Sequence, residues 1–379
     1  MAALHIAETT ICGGWLTLEQ KQALEATVEH LGQQGKGISA CDESGRTIDP
    51  RFTKVGVEST EEVRRAYRQT LFEAPGCNQY LSGVILDPET VYQKSSTDGR
   101  PFPESLKAAG MLPGVKPSLT VYALPGTDGE TVMQGLDSLA VRCRAYREAG
   151  CFFAKWRSPL TVDAKTGKPS NLAIESNMRD LARYALICQS EGLVPFVEPD
   201  VVLKGGYTLE EAVEANVKIW SCLFKSLEDH GVYLEGVLFK TNMVCPGTGC
   251  PQAYTAAQIA GATVGALRRT LPVAVRSVNF LSGGQALEDA AARLDAMNKL
   301  KDQRGGAASA PWNLSFSWSA ALQLPLFELC RPESGHPKDE SGLPRAAIQA
   351  LFLEELKIAS AAASGTHQPT PGAGDHTPP

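Results

Sequence analysis

Seven ionisable residues of this 379-residue chain close short apolar runs or stand just beyond them: Asp42, Lys116, Lys155, Arg157, Glu198, Asp200 and Lys240. Lys240 carries the sharpest chemical signal. In Gly236-Val-Leu-Phe-Lys-Thr-Asn242 it follows three apolar residues directly, so its stem is expected inside the protein. Burial of an ammonium lowers its pKa, and a second cation nearby lowers it further. Such an amine can attack a carbonyl and form a Schiff base. Lys155 is the candidate second cation. A Schiff base turns a ketone into an electron sink, and the neighbouring carbon–carbon bond then breaks once a base takes a hydroxyl proton. Asp42 and Glu198, expected at opposite parts of the rim, could divide proton abstraction and proton delivery. The competing reading is a lysine paired to Glu198 for structural reasons alone.

A second signal is Leu281-Ser-Gly-Gly284, ahead of a helix expected to start near Gln285. Glycines let backbone N–H groups approach an anion, and the helix N-terminus adds its dipole. Ser282 and Gly283 are the candidate cradle. The net charge is −6, from 36 Lys plus Arg against 42 Asp plus Glu. Cations collected at one rim of an acidic protein should still draw anions locally.

These residues need a frame that repeats. Eight short apolar runs read as strands buried on both faces: Gly37 to Cys41, Gly83 to Leu86, Pro113 to Lys116, Phe152 to Trp156, Val194 to Glu198, Gly236 to Lys240, Val275 to Leu281 and Leu314 to Ser317. Helical stripes lie between them. Thr17 with Gln20, Thr208 with Glu211 and Thr255 with Gln258 are capping boxes. One stripe carries Leu24, Val28 and Leu31 as an extra N-terminal helix. Another carries Val213, Val217, Trp220, Phe224 and Leu227, and a third runs through Val132, Leu136, Leu139, Cys143 and Tyr146. The repeated rhythm predicts an α/β fold, a single (β/α)8 TIM barrel, with its chemistry at the carboxyl ends of the strands. Chemistry-bearing residues recur about every 40 residues, more than the roughly 31 per unit of a 250-residue barrel. The barrel is therefore expected to span residues 1–363. The Pro- and Gly-rich segment 364–379 has almost nothing apolar to bury and is expected to be a disordered tail.

Composition excludes several classes. Hydrophobic residues at 43% and charged residues at 21% describe an ordinary globular protein. No basic block suits nucleic acid. No apolar run approaches the roughly 18 residues of a membrane span. The first residues, MAALHIAETTICGGW, carry no recognisable targeting signal, so a cytoplasmic location is expected, or a plastid one if a transit peptide is missing. The ten cysteines, Cys143, Cys151, Cys188 and Cys222 among them, read as reduced buried thiols. Cys245 and Cys250 lack the partners of a metal site, and the six histidines, His5, His30, His230, His336, His367 and His376, show no ligand spacing.

Ordered segments then carry a resemblance. KGISACDES (36 to 44), EEVRRAYRQTLF (61 to 72), VYQKSSTDGRPFP (91 to 103), FFAKWR (152 to 157), GLVPFVEPD (192 to 200), YLEGVLFKTNMVCPG (233 to 247) and NFLSGGQ (279 to 285) resemble the class I, Schiff-base-forming fructose-bisphosphate aldolases over about residues 17 to 330. The resemblance implies Lys240 as the Schiff-base lysine with Lys155 beside it, Glu198 as the proton-transfer acid and Asp42 as the base. It also implies Lys116, Arg157, Ser44 and Arg51 as substrate contacts, and Ser282 with Gly283 at a phosphate. The implied reaction is reversible cleavage of fructose 1,6-bisphosphate to dihydroxyacetone phosphate and glyceraldehyde 3-phosphate, in glycolysis, gluconeogenesis or the Calvin cycle. It needs no cofactor or metal and is carried out by a homotetramer. The alternatives are a Schiff-base aldolase for another sugar phosphate, such as sedoheptulose 1,7-bisphosphate, and a non-catalytic sugar-phosphate-binding scaffold.

Four departures stand out. Where the family typically has a phosphate-holding Gly-Arg pair after the eighth strand, this chain has Ser319 and Ala320. The second carboxylate of the fifth strand is Asp200 rather than Glu, Thr241 replaces a usual proline, and the chain ends in Pro378 and Pro379 rather than a tyrosine. Arg46, just after Asp42-Glu-Ser44, is positioned to replace part of the lost arginine.

Overall fold

A computed structural model describes residues 14–303 and 310–379. The reading of the first residues as free of a targeting signal, and His5 with it, falls largely outside them. Among the described residues there are ten strands: β1 (Gly37–Cys41), β2 (Leu81–Leu86), β3 (Leu112–Val115), β4 (Val121–Ala123), β5 (Thr131–Met133), β6 (Phe153–Leu160), β7 (Val194–Val201), β8 (Leu238–Thr241), β9 (Ser277–Phe280) and β10 (Asn313–Trp318). Eight of them close a parallel barrel in the order β1-β10-β9-β8-β7-β6-β3-β2, and β4 with β5 forms a separate antiparallel hairpin. All eight expected strands belong to the barrel.

The helices are α1 (Leu18–Leu31), α2 (Gly45–Lys54), α3 (Glu61–Phe72), α4 (Pro88–Val91), α5 (Phe102–Ala108), α6 (Leu139–Glu148), α7 (Asn171–Ser190), α8 (Leu209–Asp229), α9 (Ala256–Thr270), α10 (Leu287–Gln303), α11 (Ala320–Glu328) and α12 (Arg345–Ala363). The three expected capping boxes open α1, α8 and α9, each with both reciprocal bonds made. Two stripes differ from expectation. Val132 lies on β5, so the stripe assigned to one helix is shared between the hairpin and α6. The buried face of α8 runs through Ala212, Asn216, Ile219, Trp220, Leu223 and Leu227, leaving Val213 and Val217 only partly covered.

Strand alternation decides what enters the barrel. Ile38, Ala40, Ile85, Phe153, Val194, Phe196 and Leu238 point inward and pack with Leu24, Val28 and Leu31 of α1, which stoppers the amino-terminal end. Burying each of these three α1 side chains contributes about 1.5–3 kcal/mol. Room for the stopper comes from small inward positions. A Cβ on Gly83 would meet Leu31 Cδ2 at 2.5 Å, and one on Gly114 would meet the Phe153 ring at 2.4 Å. Gly114→Ala is therefore expected to lower stability by about 1–3 kcal/mol through overpacking, read as a drop in the urea midpoint. The opposite parity of each strand, including Cys41, Ala154, Trp156, Val197 and Phe239, packs outward against the helices. Trp156 meets Tyr184 with ring centroids 5.3 Å apart, and Phe239 meets Trp220 at 5.7 Å.

The segment expected to be a disordered tail is held against the barrel in the structure. His376 exchanges backbone hydrogen bonds with Tyr254, the Ala256 N–H donates to Asp375 at 2.8 Å, and Arg293 Nε donates to the Gly374 carbonyl at 2.7 Å. The segment has little apolar surface to bury and is secured instead through its backbone polar groups.

Candidate active site

The alternation that fills the lower barrel with apolar side chains also sets the polar layer above them. Along β1 and beyond, Ile38, Ala40 and Asp42 share a face. Along β6 it is Phe153, Lys155 and Arg157, along β7 Val194, Phe196, Glu198 and Asp200, and along β8 Leu238 and Lys240. β6 and β7 run on to Leu160 and Val201, beyond the ends expected from sequence. Lys155 and Glu198 are therefore held by rigid strand rather than loop.

Asp42, Lys155, Glu198, Asp200 and Lys240 are each less than a tenth exposed. Lys155 Nζ lies 2.7 Å from Asp42 Oδ2 and 3.3 Å from Glu198 Oε2, and Lys240 Nζ lies 3.5 Å from the same Glu198 oxygen. Asp42 and Glu198, expected apart on the rim, thus converge on one ammonium. Adjacent strands carry residues of alternating charge, which lets each buried ion face an opposite one and offsets its desolvation.

The three central groups respond differently. Burial, reinforced by the charge of Lys155, holds the Lys240 amine below the ordinary lysine range, although Glu198 and Asp42 pull the other way. Burial also opposes charge on Lys155, but Asp42 and Glu198 together outweigh it and hold that ammonium above its usual value. Burial would raise Asp42, yet Lys155, Lys116 and Lys240 hold it well below the usual carboxylate range. The result is one readily deprotonated amine beside a persistent cation and an ionised carboxylate. Below them, the Phe196 ring centroid is 5.9 Å from Lys240 Nζ.

Thr241, the residue after the lysine, is fully buried and its hydroxyl is fully used. Trp220 Nε1 donates to it at 3.1 Å, and it donates to the Pro199 carbonyl at 3.1 Å. This bond ties α8, β7 and β8 together beside the reactive pair. Asn242 does similar work through its Oδ1, which accepts from the Val201 N–H at 2.9 Å.

Above the ion cluster opens a cavity of about 810 Å³. The residues singled out from the sequence line it: Asp42, Lys155, Glu198 and Lys240, with Lys116, Arg157, Asp200, Ser44, Arg46, Arg51, Ser282 and Gly283. Lys116 Nζ reaches Asp87 at 3.4 Å and Asp42 Oδ2 at 3.9 Å, and it donates to the Asp42 carbonyl. Arg157 is held by Asp200 at 2.6 Å, so the shorter aspartate still reaches its partner. Ser282 is buried, and Gly283 and Gly284 have φ of +59° and +88°, a left-handed pair that side chains would strain. The helix behind this loop starts at Leu287, two residues later than expected.

Other cavity residues were not found from the sequence. Glu43 Oε1 accepts from Arg51 at 2.9 Å, from Gln323 at 3.1 Å and from the Ser319 hydroxyl. Ser319 thus occupies the place of the absent Gly-Arg pair by binding a neighbouring carboxylate. Ser317 is buried in the cavity wall, and its hydroxyl has no partner among the described residues. The β4–β5 hairpin adds Val121 and Met133 to the mouth. Its short strands have no period long enough to read, and serine hydroxyls at strand ends carry no distinctive spacing.

Comparison with known proteins follows the same lines. The sequence matches the family model described as fructose-bisphosphate aldolase class-I over residues 23–376. It is 44% identical over 345 residues to a fructose-bisphosphate aldolase of Dictyostelium discoideum, covering 91% of this chain and 92% of that one. It is 48% identical over 300 residues to fructose-bisphosphate aldolase 6, cytosolic, of Arabidopsis thaliana, covering 79% and 81%. Among solved structures, the Plasmodium falciparum fructose-bisphosphate aldolase, crystallised in complex with TRAP and a small-molecule inhibitor, superposes with a TM-score of 0.87 at 38% identity, covering 94% of this chain and 98% of that one. The chain belongs to the class I fructose-bisphosphate aldolase family, whose members are metal-independent lyases.

Proposed function

We propose that this protein cleaves fructose 1,6-bisphosphate reversibly into dihydroxyacetone phosphate and glyceraldehyde 3-phosphate through a Schiff base on Lys240. The observation that carries this reading is the buried Lys240 amine, held below the ordinary lysine range and 3.5 Å from Glu198, with Lys155 as a second cation. The free amine attacks the C2 ketone, and loss of water gives an iminium ion. Asp42, ionised and bonded to Lys155, accepts the C4 hydroxyl proton. The C3–C4 electron pair moves into the iminium as the aldehyde leaves, forming an enamine. Glu198, beside both lysines, is suited to shuttle the proton on Lys240 during dehydration and hydrolysis. Protonation at C3 and hydrolysis then free the second product.

The Ser282–Gly284 loop follows β9, which pairs with β8, so it sits beside Lys240 and is suited to the phosphate nearest the ketone. Lys116 and Arg157 give the remaining wall its positive charge. A cytosolic site of action is supported by the relatives named as cytosolic. Among the described residues no helix is long and apolar enough to cross a membrane. A homotetramer is proposed on the family resemblance.

Borohydride reduction in the presence of dihydroxyacetone phosphate, followed by peptide mass mapping, tests the assignment. A stable adduct on Lys240 is expected. Absence of any adduct would overturn the covalent mechanism.

A further inference from the structure

The cations around the cavity are not equally available. Lys116, Lys155 and Lys240 each lie against a carboxylate, and Arg157 is held by Asp200. Arg51, expected from the sequence to contact substrate, donates to Glu43 at 2.9 Å and lies over the Phe327 ring at 5.9 Å. Arg46 is different. It lines the same cavity, is exposed to it, and has no hydrogen bond or ion pair among the described residues.

Its placement relative to the reacting atoms gives that availability a purpose. With the ketone carbon on Lys240 of β8 and the C4 hydroxyl at Asp42, the remaining carbons of the sugar must extend past the end of β1. The chain there is Ser44-Gly45-Arg46-Thr47, all four lining the cavity. Ser44 is the N-cap of α2, its side chain makes no capping bond, and the first turn carries no acidic residue. The helix therefore turns its positive end to the cavity at this point, with the Asp49 carboxylate behind Gly45 on the same end. Nearby, Ser319 and Ala320 supply no charge, and the Ser319 hydroxyl is already given to Glu43.

We infer that Arg46 is the specificity-determining residue for the second phosphate, the one most distant from the ketone, and so sets the preference of this protein for a bisphosphate over a monophosphate sugar. Its guanidinium binds the phosphate oxygens and leaves Arg51 to hold Glu43. The inference rests on the proposed aldol cleavage. No bond is made or broken at Arg46, so its effect is on binding and orientation rather than on proton transfer.

The test compares fructose 1,6-bisphosphate with fructose 1-phosphate, which lacks the distant phosphate, in the wild type, Arg46→Ala and Arg46→Lys. Arg46→Ala is expected to lower kcat/KM for the bisphosphate by roughly 10- to 50-fold, mainly through KM. Its effect on fructose 1-phosphate is expected to be under about threefold. Arg46→Lys should recover part of the loss, since a point charge remains without the bidentate fork. An unchanged KM for the bisphosphate, or an equal fall with both substrates, would overturn the inference. The dihydroxyacetone phosphate adduct is measured on the same samples and separates failure of the cleavage mechanism from failure of the Arg46 assignment. A wild type that forms no adduct removes the aldolase reading and this inference with it, whereas an adduct on Lys240 with an insensitive bisphosphate KM removes this inference alone.

Discussion

Lys240→Met is expected to lower the cleavage rate by on the order of 10⁴- to 10⁶-fold, because it removes the nucleophile and not merely a contact. Methionine is close to lysine in volume, and the site lies above Phe196. The variant also relieves the fold of a desolvated amine. Removing one member of a buried ion pair typically costs about 3–5 kcal/mol, a cost that a remaining counterion reduces. Glu198 would keep Lys155 at 3.3 Å as its counterion. Steady-state cleavage, the borohydride adduct and a urea denaturation curve read these effects separately. A variant that folds as well as wild type and still cleaves at more than about a hundredth of its rate would exclude Lys240 as the nucleophile.

The linkage has a definite sign. The folded pKa of Lys240 lies below the unfolded lysine value, so the folded state binds fewer protons between the two. Wild-type stability therefore gains from Lys240 as pH rises through that window, and the Lys240→Met variant should lack this gain.

Lys155→Met should be nearly as damaging, for a different reason. This ammonium is shared by Asp42 and Glu198 at 2.7 and 3.3 Å, and its charge is one cause of the lowered Lys240 pKa. Without it, two buried carboxylates face one another with less compensation. The loss of a buried partner typically costs about 3–5 kcal/mol. Catalysis should fall by roughly 10²- to 10⁴-fold as the acid–base arrangement is lost. The activity that remains carries the diagnostic feature. Removing a positive neighbour raises the Lys240 pKa, so the acidic limb of kcat/KM should move to higher pH, with relative recovery toward alkaline conditions.

Acid stability moves too. In the wild type, Asp42 titrates below its unfolded value, so its contribution is present above the usual carboxylate range and is lost only as pH falls through the low folded value. Loss of Lys155 raises that folded value toward the unfolded one, so Asp42 contributes less stability at neutral pH and less is lost on acidification. A pH–rate profile with an unmoved acidic limb would argue that Lys155 does not tune Lys240.

Much of this site was legible because barrel strands convert chain spacing into depth. The run ending at Lys240 and the segment containing Lys155 both place a charge two residues beyond an inward apolar side chain, Leu238 and Phe153. Parity alone sends each charge into the same space. The Gly283 and Gly284 turn was legible for a similar local reason, since its left-handed backbone is recorded in residue type. The capping boxes of α1, α8 and α9 are equally local and formed as expected.

What the sequence left open depends on distance between strands. Asp42 and Glu198 are both identifiable as acids, but only closure of the sheet, with β1 and β7 on the same mouth, brings them to one ammonium. The same holds for Arg51 and Arg46. They look interchangeable in the chain, and Glu43, itself held by Gln323 and Ser319, decides between them by pairing with the first and leaving the second without a partner among the described residues. The tail belongs in this class as well. Its composition offers little apolar surface to bury, and its place is set by backbone partners at Tyr254, Ala256 and Arg293 that lie far away in sequence. Residue type and period therefore determined which groups could react, because those properties act within a few residues. Which groups are paired, which remain free and how each pKa moves were decided by tertiary structure, because burial and charge interactions act through space.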